Sequence, residues 1–183
     1  MRAQRDRLIC FDLGDTLMIE ESERKDADGV TLEADLIPGM AELIRDLSRL
    51  PVALALVADT RAGTYRNVLA QHGLFDMFDA FAVSEELGIE KPHPRMFAHA
   101  LAHSGVDAAN ARAVMVGNNY GRDVLGARAA GFEAVWFHWN TRYPAPPEPA
   151  QADGVVTSAD ELRAWLDAWL SADGTFHGLG EQA

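Results

Sequence analysis

An apolar run near the N-terminus, Leu8 to Phe11, ends abruptly at Asp12 and a turn that contains a glycine. A short apolar run closed by turn residues is typical of a buried parallel strand. In open α/β sheets the reacting groups lie just beyond the carboxyl ends of such strands. We therefore expect Asp12 to lie at the end of a central first strand, at the mouth of a crevice.

Strand-like and helix-like patterns alternate along the rest of the chain. The strand-like runs are at 52–58, 81–84, 113–116, 133–138 and 155–156, and the helical patterns are at 37–50, 64–72, 94–103, 121–130 and after Ser158. This alternation predicts an α/β fold with a doubly wound, Rossmann-like parallel sheet, helices on both faces and right-handed crossovers. We predict one domain over residues 1–170 and a flexible tail over residues 171–183.

Residues 18–36 interrupt the alternation with an acidic segment. Its turn chemistry, Asp26 to Gly29, predicts a small flap or hairpin. The segment is too short to be a large helical lid. Its acidic side chains are interpreted as a solvated face.

The formal net charge of the 183 residues is −12. This charge argues against nonspecific binding to nucleic acid or to an anionic membrane. Cys10 is the only cysteine, which excludes a disulfide framework and a zinc site built on cysteines. With no recognisable signal peptide and no long apolar span, the sequence predicts a cytoplasmic protein with no membrane partner.

Polar side chains follow four of the predicted strands. They are Asp12 with Asp15 and Thr16, Asp59 with Thr60, Lys91 in a Lys-Pro loop, and Asn118 with Asp123. In a doubly wound sheet these strand ends meet at one crevice. Carboxylates suit a hard cation and a lysine suits an anion, so the set favours a magnesium-bound phosphate. In this interpretation Asp12 is the nucleophile, Lys91 neutralises phosphoryl charge and Asp123 holds the metal.

Four segments in this order carry a family resemblance. They are Phe11-Asp12-Leu13-Gly14-Asp15-Thr16-Leu17, Val57-Ala58-Asp59-Thr60, Gly88-Ile89-Glu90-Lys91-Pro92-His93-Pro94, and the stretch from Val116 to Gly131 that contains Asn118 and Asp123. Over roughly residues 7–140 the chain resembles the haloacid dehalogenase-like (HAD) hydrolases. The resemblance implies a phosphatase that hydrolyses a phosphate monoester through an aspartyl-phosphate on Asp12.

The resemblance also implies the ligands of the site. Mg²⁺ would be held by the Asp12 carboxylate, the backbone carbonyl of Gly14 and Asp123. The phosphate would be bound by Asp59, Thr60, Lys91 and Asn118. Family members with a minimal cap have open sites, and some use a neighbouring subunit as a lid. We therefore expect a small-molecule phosphate ester or other phosphorylated substrate, no nucleic acid, and a homodimer.

Three positions depart from the family pattern. Gly14 stands where the family has its general acid/base, Ala58 replaces a phosphate-binding hydroxyl, and Asn118 replaces a carboxylate. Asp15 is the nearest candidate for the acid/base role, although adjacent residues of an extended chain point in opposite directions. Two alternatives follow: an attenuated HAD-like protein with a binding or regulatory role, and a metal-free dehalogenase-like hydrolase. If the missing acid limits catalysis, Gly14→Asp should raise turnover of an activated phosphate ester.

Overall fold

A computed structural model describes residues 5–144 and 151–172 of the chain. Within them lie the strands β1 (Arg7–Phe11), β2 (Arg24–Lys25), β3 (Thr31–Glu33), β4 (Ala53–Ala58), β5 (Ala80–Val83), β6 (Arg112–Gly117), β7 (Glu133–Phe137) and β8 (Gly154–Val156). The helices are α1 (Met40–Leu47), α2 (Ala62–Gln71), α3 (Ser84–Leu87), α4 (Pro94–His103), α5 (Gly126–Ala129) and α6 (Ala159–Ser171). Short 3₁₀ turns occur at Glu20–Ser22 and Phe75–Met77, and a π-helical turn, Tyr120–Leu125, leads into α5.

Six strands form one parallel sheet in the order β5-β4-β1-β6-β7-β8. The first strand is central: Phe11 pairs with Leu56 on one side and Val116 on the other. All five residues of β1 are buried, as expected of a strand covered on both faces. The predicted doubly wound α/β fold is confirmed.

The sheet separates two hydrophobic cores. Ile9 and Phe11 of β1 contribute to the core that contains α1, α2 and α6, whereas Leu8 and Cys10 contribute to the core that contains α4 and α5. Successive strand residues point to opposite faces, so an unbroken apolar run supplies both cores. This packing fixes the end of β1, and with it Asp12, relative to the neighbouring strand ends.

The ends of some helices differ from the predicted ones. The helix predicted over 37–50 begins only at Met40, since Gly39 adopts a left-handed φ of 86°. The final helix has the predicted N-cap, with the Ser158 hydroxyl accepting from the backbone N–H of Glu161. Ser171, placed in the predicted tail, is the last residue of α6, and residues 173–183 of that tail lie outside the described residues. No helix in the described ranges is both long and apolar enough to span a bilayer.

The predicted flap contains an antiparallel hairpin, β2–β3. Asp26 forms its turn by accepting hydrogen bonds from the backbone N–H groups of Asp28 and Val30. The hairpin is anchored on α2, because the Thr64 hydroxyl accepts from the N–H of Thr31 at 3.0 Å. This docking makes the hairpin a wall beside the carboxyl ends of the central strands.

Gly126 allows α5 to approach the loop that follows the Lys91–Pro92 peptide. A Cβ at Gly126 would lie 2.9 Å from the Cβ of Pro92 and 3.0 Å from ring atoms of Phe97. We expect Gly126→Ala to lower the free energy of unfolding by about 1–3 kcal/mol, measured by urea denaturation, because the added methyl overpacks this contact. Gly121→Ala is the matched control, since the nearest atom is 3.8 Å from its Cβ. Equal effects of the two substitutions would contradict this explanation.

Candidate active site

The carboxyl ends of the central strands open into one cavity of about 190 Å³. Seven of the eight sequence-predicted site residues line it, and the eighth, Asp15, does not: the seven are Asp12, Gly14, Asp59, Thr60, Lys91, Asn118 and Asp123. The topology brings these residues together because parallel strands end at the same edge of the sheet.

A buried lysine joins two carboxylates at the base of the cavity. The Nζ of Lys91 donates to Oδ1 of Asp12 and to Oδ1 of Asp123, both at 2.7 Å. The side chains of Lys91 and Asp123 are only 2% and 1% exposed. Charge-assisted bonds with little access to water are strong and directional. They hold the Asp12 carboxylate in one orientation.

The buried charges at this site do not balance. Burial lowers the pKa of Lys91, but the charges of Asp12 and Asp123 outweigh it, so this pKa lies above its ordinary value. Burial raises the pKa of Asp123 to about 7, although the charge of Lys91 opposes the increase. One ammonium lies between two carboxyl groups, and a further cation beside Asp123 would favour the charged form of its carboxyl.

A glycine at the end of β6 permits the position of Asp123. A Cβ at Gly117 would lie 2.3 Å from the carboxyl carbon of Asp123, so a larger residue would displace the carboxylate. The second oxygen of Asp123 accepts from the backbone N–H of Asn119 at 2.8 Å. Both oxygens of Asp123 are therefore held by the chain.

Asp59 connects two cationic residues of the site. Its Oδ1 accepts from the backbone N–H of Lys91 at 2.9 Å, and its Oδ2 lies 3.1 Å from Nη1 of Arg122. These contacts brace the Lys91 loop and hold Arg122 at the cavity mouth. The neighbouring Thr60 lines the cavity, and its backbone carbonyl accepts from the Ser84 hydroxyl. Phosphate binding by Asp59 and Thr60 stays a prediction.

The side-chain amide of Asn118 has a hydrogen-bond donor that is not used within the described part of the chain. Its backbone carbonyl accepts from the indole N–H of Trp136 at 3.0 Å. Its side-chain Nδ2 is buried and has no hydrogen-bond partner within the part of the chain that the structure describes. Because buried donors are normally paired, this amide is suited to a ligand oxygen.

Asp15 lies behind the cavity wall. Its backbone adopts a left-handed φ of 48°, and its side chain is 1% exposed. One carboxylate oxygen accepts from the N–H of Glu20 at 3.0 Å, and the other forms an ion pair with Nε of Arg142. The Asp15 carbonyl also accepts from the indole of Trp139 at 2.7 Å. These contacts tie the loop after β7 to the loop after β1, and the catalytic role of Asp15 stays a prediction.

The carboxyl of Glu20 fills the space beside Gly14. A Cβ at Gly14 would lie 2.2 Å from Oε1 of Glu20, which also lines the cavity. Burial raises the pKa of the Glu20 carboxyl, the charge of Asp15 adds to this effect, and Arg142 opposes it. A side chain at position 14, as in Gly14→Asp, must therefore displace the Glu20 carboxyl.

Several lining residues were not predicted as site residues. They are Leu13, Met18, Glu20, Glu23, Lys25, Ala58, Asn119, Arg122 and Tyr143. The sequence predicts a solvated face for the acidic flap, yet Glu20 and Glu23 line the cavity. The available signal was the position of the predicted hairpin, which follows the first strand closely in the sequence.

The donor set at the cavity base fits Mg²⁺. The carboxyl groups of Asp12 and Asp123 line this cavity together with Gly14 and Asn118, which carry neutral oxygens in a backbone carbonyl and a side-chain amide. Mg²⁺ commonly takes one or two protein carboxylates and completes its coordination with water and substrate phosphate. The described residues contain no group of three or more His, Cys, Asp or Glu side chains arranged to hold a metal.

Comparisons with known proteins agree with the fold. A family model described as haloacid dehalogenase-like hydrolase matches residues 21–131. The chain is 40% identical over 113 residues to a phosphoserine phosphatase of Thermus thermophilus, covering 62% of this chain and 44% of that protein. It is 29% identical over 140 residues to a phosphoglycolate phosphatase of Nitrosococcus oceani, covering 76% and 61%. The chain thus spans about half the length of these curated relatives.

A solved structure shows the same fold. The crystal structure of a HAD phosphatase from Thermococcus onnurineus superimposes with a TM-score of 0.71 at 20% identity, covering 87% of this chain and 97% of that chain.

Proposed function

Because the chain belongs to the haloacid dehalogenase-like hydrolase family, we propose that it is a Mg²⁺-dependent phosphatase of small phosphate monoesters, acting through an aspartyl-phosphate on Asp12. One observation carries the proposal: the Asp12 carboxylate lies at the cavity base, 2.7 Å from the buried ammonium of Lys91, which also binds Asp123. The phosphatase relatives support the reaction class.

Asp12 has an oxygen available for the first step. Its Oδ1 is bound to Lys91, and its side chain is 13% exposed toward the cavity. The second oxygen would form a bond to phosphorus while the ester P–O bond breaks, and the departing oxygen would take up a proton from an acid group of the cavity to leave as an alcohol. Water would then attack the acyl phosphate, releasing inorganic phosphate and restoring Asp12.

The other lining groups would bind the phosphoryl oxygens. Lys91 supplies a buried positive charge, and Asn118 supplies a buried N–H donor. Groups already held in place stabilise developing charge without reorganisation. Mg²⁺, when bound by Asp12, Asp123 and the Gly14 carbonyl, would neutralise further phosphoryl charge.

The cavity favours a small substrate. Its volume is about 190 Å³, and the flap wall adds Glu23 and Lys25. We include in the proposal a small phosphorylated molecule as substrate, with no nucleic acid or membrane partner, in a cytoplasmic protein. A homodimer in which the partner covers the open site is part of the same proposal.

Removal of the metal tests the proposal. We expect treatment with EDTA to lower the rate on p-nitrophenyl phosphate and on a panel of small phosphate esters by about 100-fold or more, since the metal supplies several kcal/mol of charge stabilisation. Restoring Mg²⁺ should restore the rate, and circular dichroism should show the same fold throughout. A rate unchanged by EDTA would favour the metal-free alternative. No hydrolysis of any ester would favour the attenuated binding protein.

A further inference from the structure

We propose that Glu20 gives the leaving oxygen its proton, in the place of the side chain that Gly14 lacks. The inference rests on the proposed function and adds a catalytic residue to it. An alkoxide is a poor leaving group unless it receives a proton as the ester bond breaks, so the proposed reaction requires an acid near the leaving oxygen.

Glu20 occupies the volume that a side chain at position 14 would take. A Cβ at Gly14 would lie 2.2 Å from Oε1, 3.0 Å from Cδ and 3.1 Å from Cγ of Glu20. Gly14 follows Asp12 by two residues, and Asp12, Gly14 and Glu20 all line the cavity. A carboxyl therefore lines the same cavity as the nucleophile, although position 14 cannot supply one.

Two neighbouring residues hold Glu20 there. Asp15 accepts from the backbone N–H of Glu20 at 3.0 Å, which places the start of the 3₁₀ turn. Arg142 pairs with Asp15, and its Nη1 lies 3.6 Å from Oε2 of Glu20. The geometry thus directs Oε2 toward Arg142 and Oε1 toward Gly14. Asp15 and Arg142 are positioning residues in this arrangement.

The other carboxyls that line the cavity are already engaged. Glu23 bonds to the Thr31 hydroxyl at 2.5 Å and to Nζ of Lys25 at 2.9 Å. Asp59 bonds to the Lys91 N–H and to Arg122, and Asp123 bonds to Nζ of Lys91 and the Asn119 N–H. Glu20 is the lining carboxyl whose Oε1 lies against Gly14, and its ion pair with Arg142, through Oε2, is longer than these contacts, at 3.6 Å.

The proton balance is simple. As the bond from Asp12 to phosphorus forms and the ester P–O bond breaks, the proton of the Glu20 carboxyl moves to the departing oxygen. A neutral alcohol leaves and Glu20 becomes a carboxylate. When water attacks the acyl phosphate, it loses a proton to Glu20, which restores the starting state.

A comparison of leaving groups tests this role. We expect Glu20→Gln to lower kcat/KM for an alkyl phosphate by about 10²–10⁴-fold. The loss should be much smaller for p-nitrophenyl phosphate, because p-nitrophenolate leaves without a proton. The ratio kcat/KM reports the steps up to departure of the alcohol, so slow hydrolysis of the intermediate does not obscure it. Glu21→Gln, on the same turn but exposed, is the matched control and should change neither value.

Substitutions at position 14 provide an independent test. Gly14→Ala should displace the Glu20 carboxyl and give the same leaving-group-dependent loss as Glu20→Gln. In a Glu20→Ala background, Gly14→Asp should raise kcat/KM for the alkyl phosphate at least tenfold, because it returns a carboxyl to the same space. A purely structural role for Glu20 predicts no such rescue.

The outcomes separate the inference from the proposed function. The role of Glu20 is overturned if Glu20→Gln loses activity equally on both substrates, or if Gly14→Asp does not rescue the Glu20→Ala variant. In either case the phosphatase proposal still holds if the wild type shows hydrolysis that depends on Asp12. Absence of hydrolysis in the wild type overturns both. Selective loss on the alkyl ester together with rescue supports the inference.

Discussion

Asp12→Asn is expected to reduce phosphatase activity to background, by about 10⁴-fold or more. An amide oxygen carries no charge and does not form the acyl phosphate, so the proposed route loses its nucleophile. The fold should persist, because Asn has nearly the same shape and the ion pair between Lys91 and Asp123 remains. Circular dichroism and the urea midpoint provide that check.

The acyl phosphate itself can be measured alongside the rate. After rapid acid quenching, mass spectrometry should find a phosphate adduct on the wild-type peptide that contains Asp12, and none on the variant. Asp28→Asn, in the exposed turn of the flap, is the control for a general effect of removing a carboxylate. Undiminished turnover by Asp12→Asn, with Asp28→Asn equally active, would remove Asp12 as nucleophile.

The fold and the base of the site could be predicted because both depend on local patterns. An unbroken apolar run such as β1 indicates a strand buried on both faces, and parallel strands then place their terminal polar residues at one edge. Asp12, Lys91 and Asp123 therefore lie together although long stretches of chain separate them. These three residues accordingly line the same cavity.

The missed features depend on contacts that local patterns do not encode. Asp15 and Arg142 are 127 positions apart, and their pairing depends on the path of the loop after β7. The left-handed φ of Asp15 ends the alternation of side chains that applies to an extended strand. In the sequence, Glu20 is one of several acidic residues of the flap, and only the folded structure shows that its carboxyl lies against Gly14. The composition of an acidic segment predicts that most of its side chains are exposed to solvent, but it does not identify the one side chain that lines the cavity.

Lys91→Met should produce the second large effect, through both catalysis and stability. Loss of the buried ammonium should lower kcat by about 10²–10³-fold, since a preorganised positive charge no longer faces the phosphoryl group. Without metal, the variant should also lose about 3–5 kcal/mol of unfolding free energy, because Asp12 and Asp123 remain in the site without a counter-charge. Lys25→Met removes a half-exposed lysine at the cavity mouth and should cost under about 1 kcal/mol.

The response to Mg²⁺ distinguishes this electrostatic explanation from a simple packing defect. In the wild type, Mg²⁺ enters a site where Lys91 already neutralises part of the charge on Asp12 and Asp123. In Lys91→Met the cation becomes the sole compensating charge among these groups, so Mg²⁺ should raise its Tm more than it raises the Tm of the wild type. Calorimetry with EDTA and with excess Mg²⁺ measures the difference. A packing defect would lower the Tm of the variant by the same amount with EDTA and with Mg²⁺. If Mg²⁺ raises the Tm of the variant and of the wild type equally, Lys91 and the metal do not neutralise the same carboxylates.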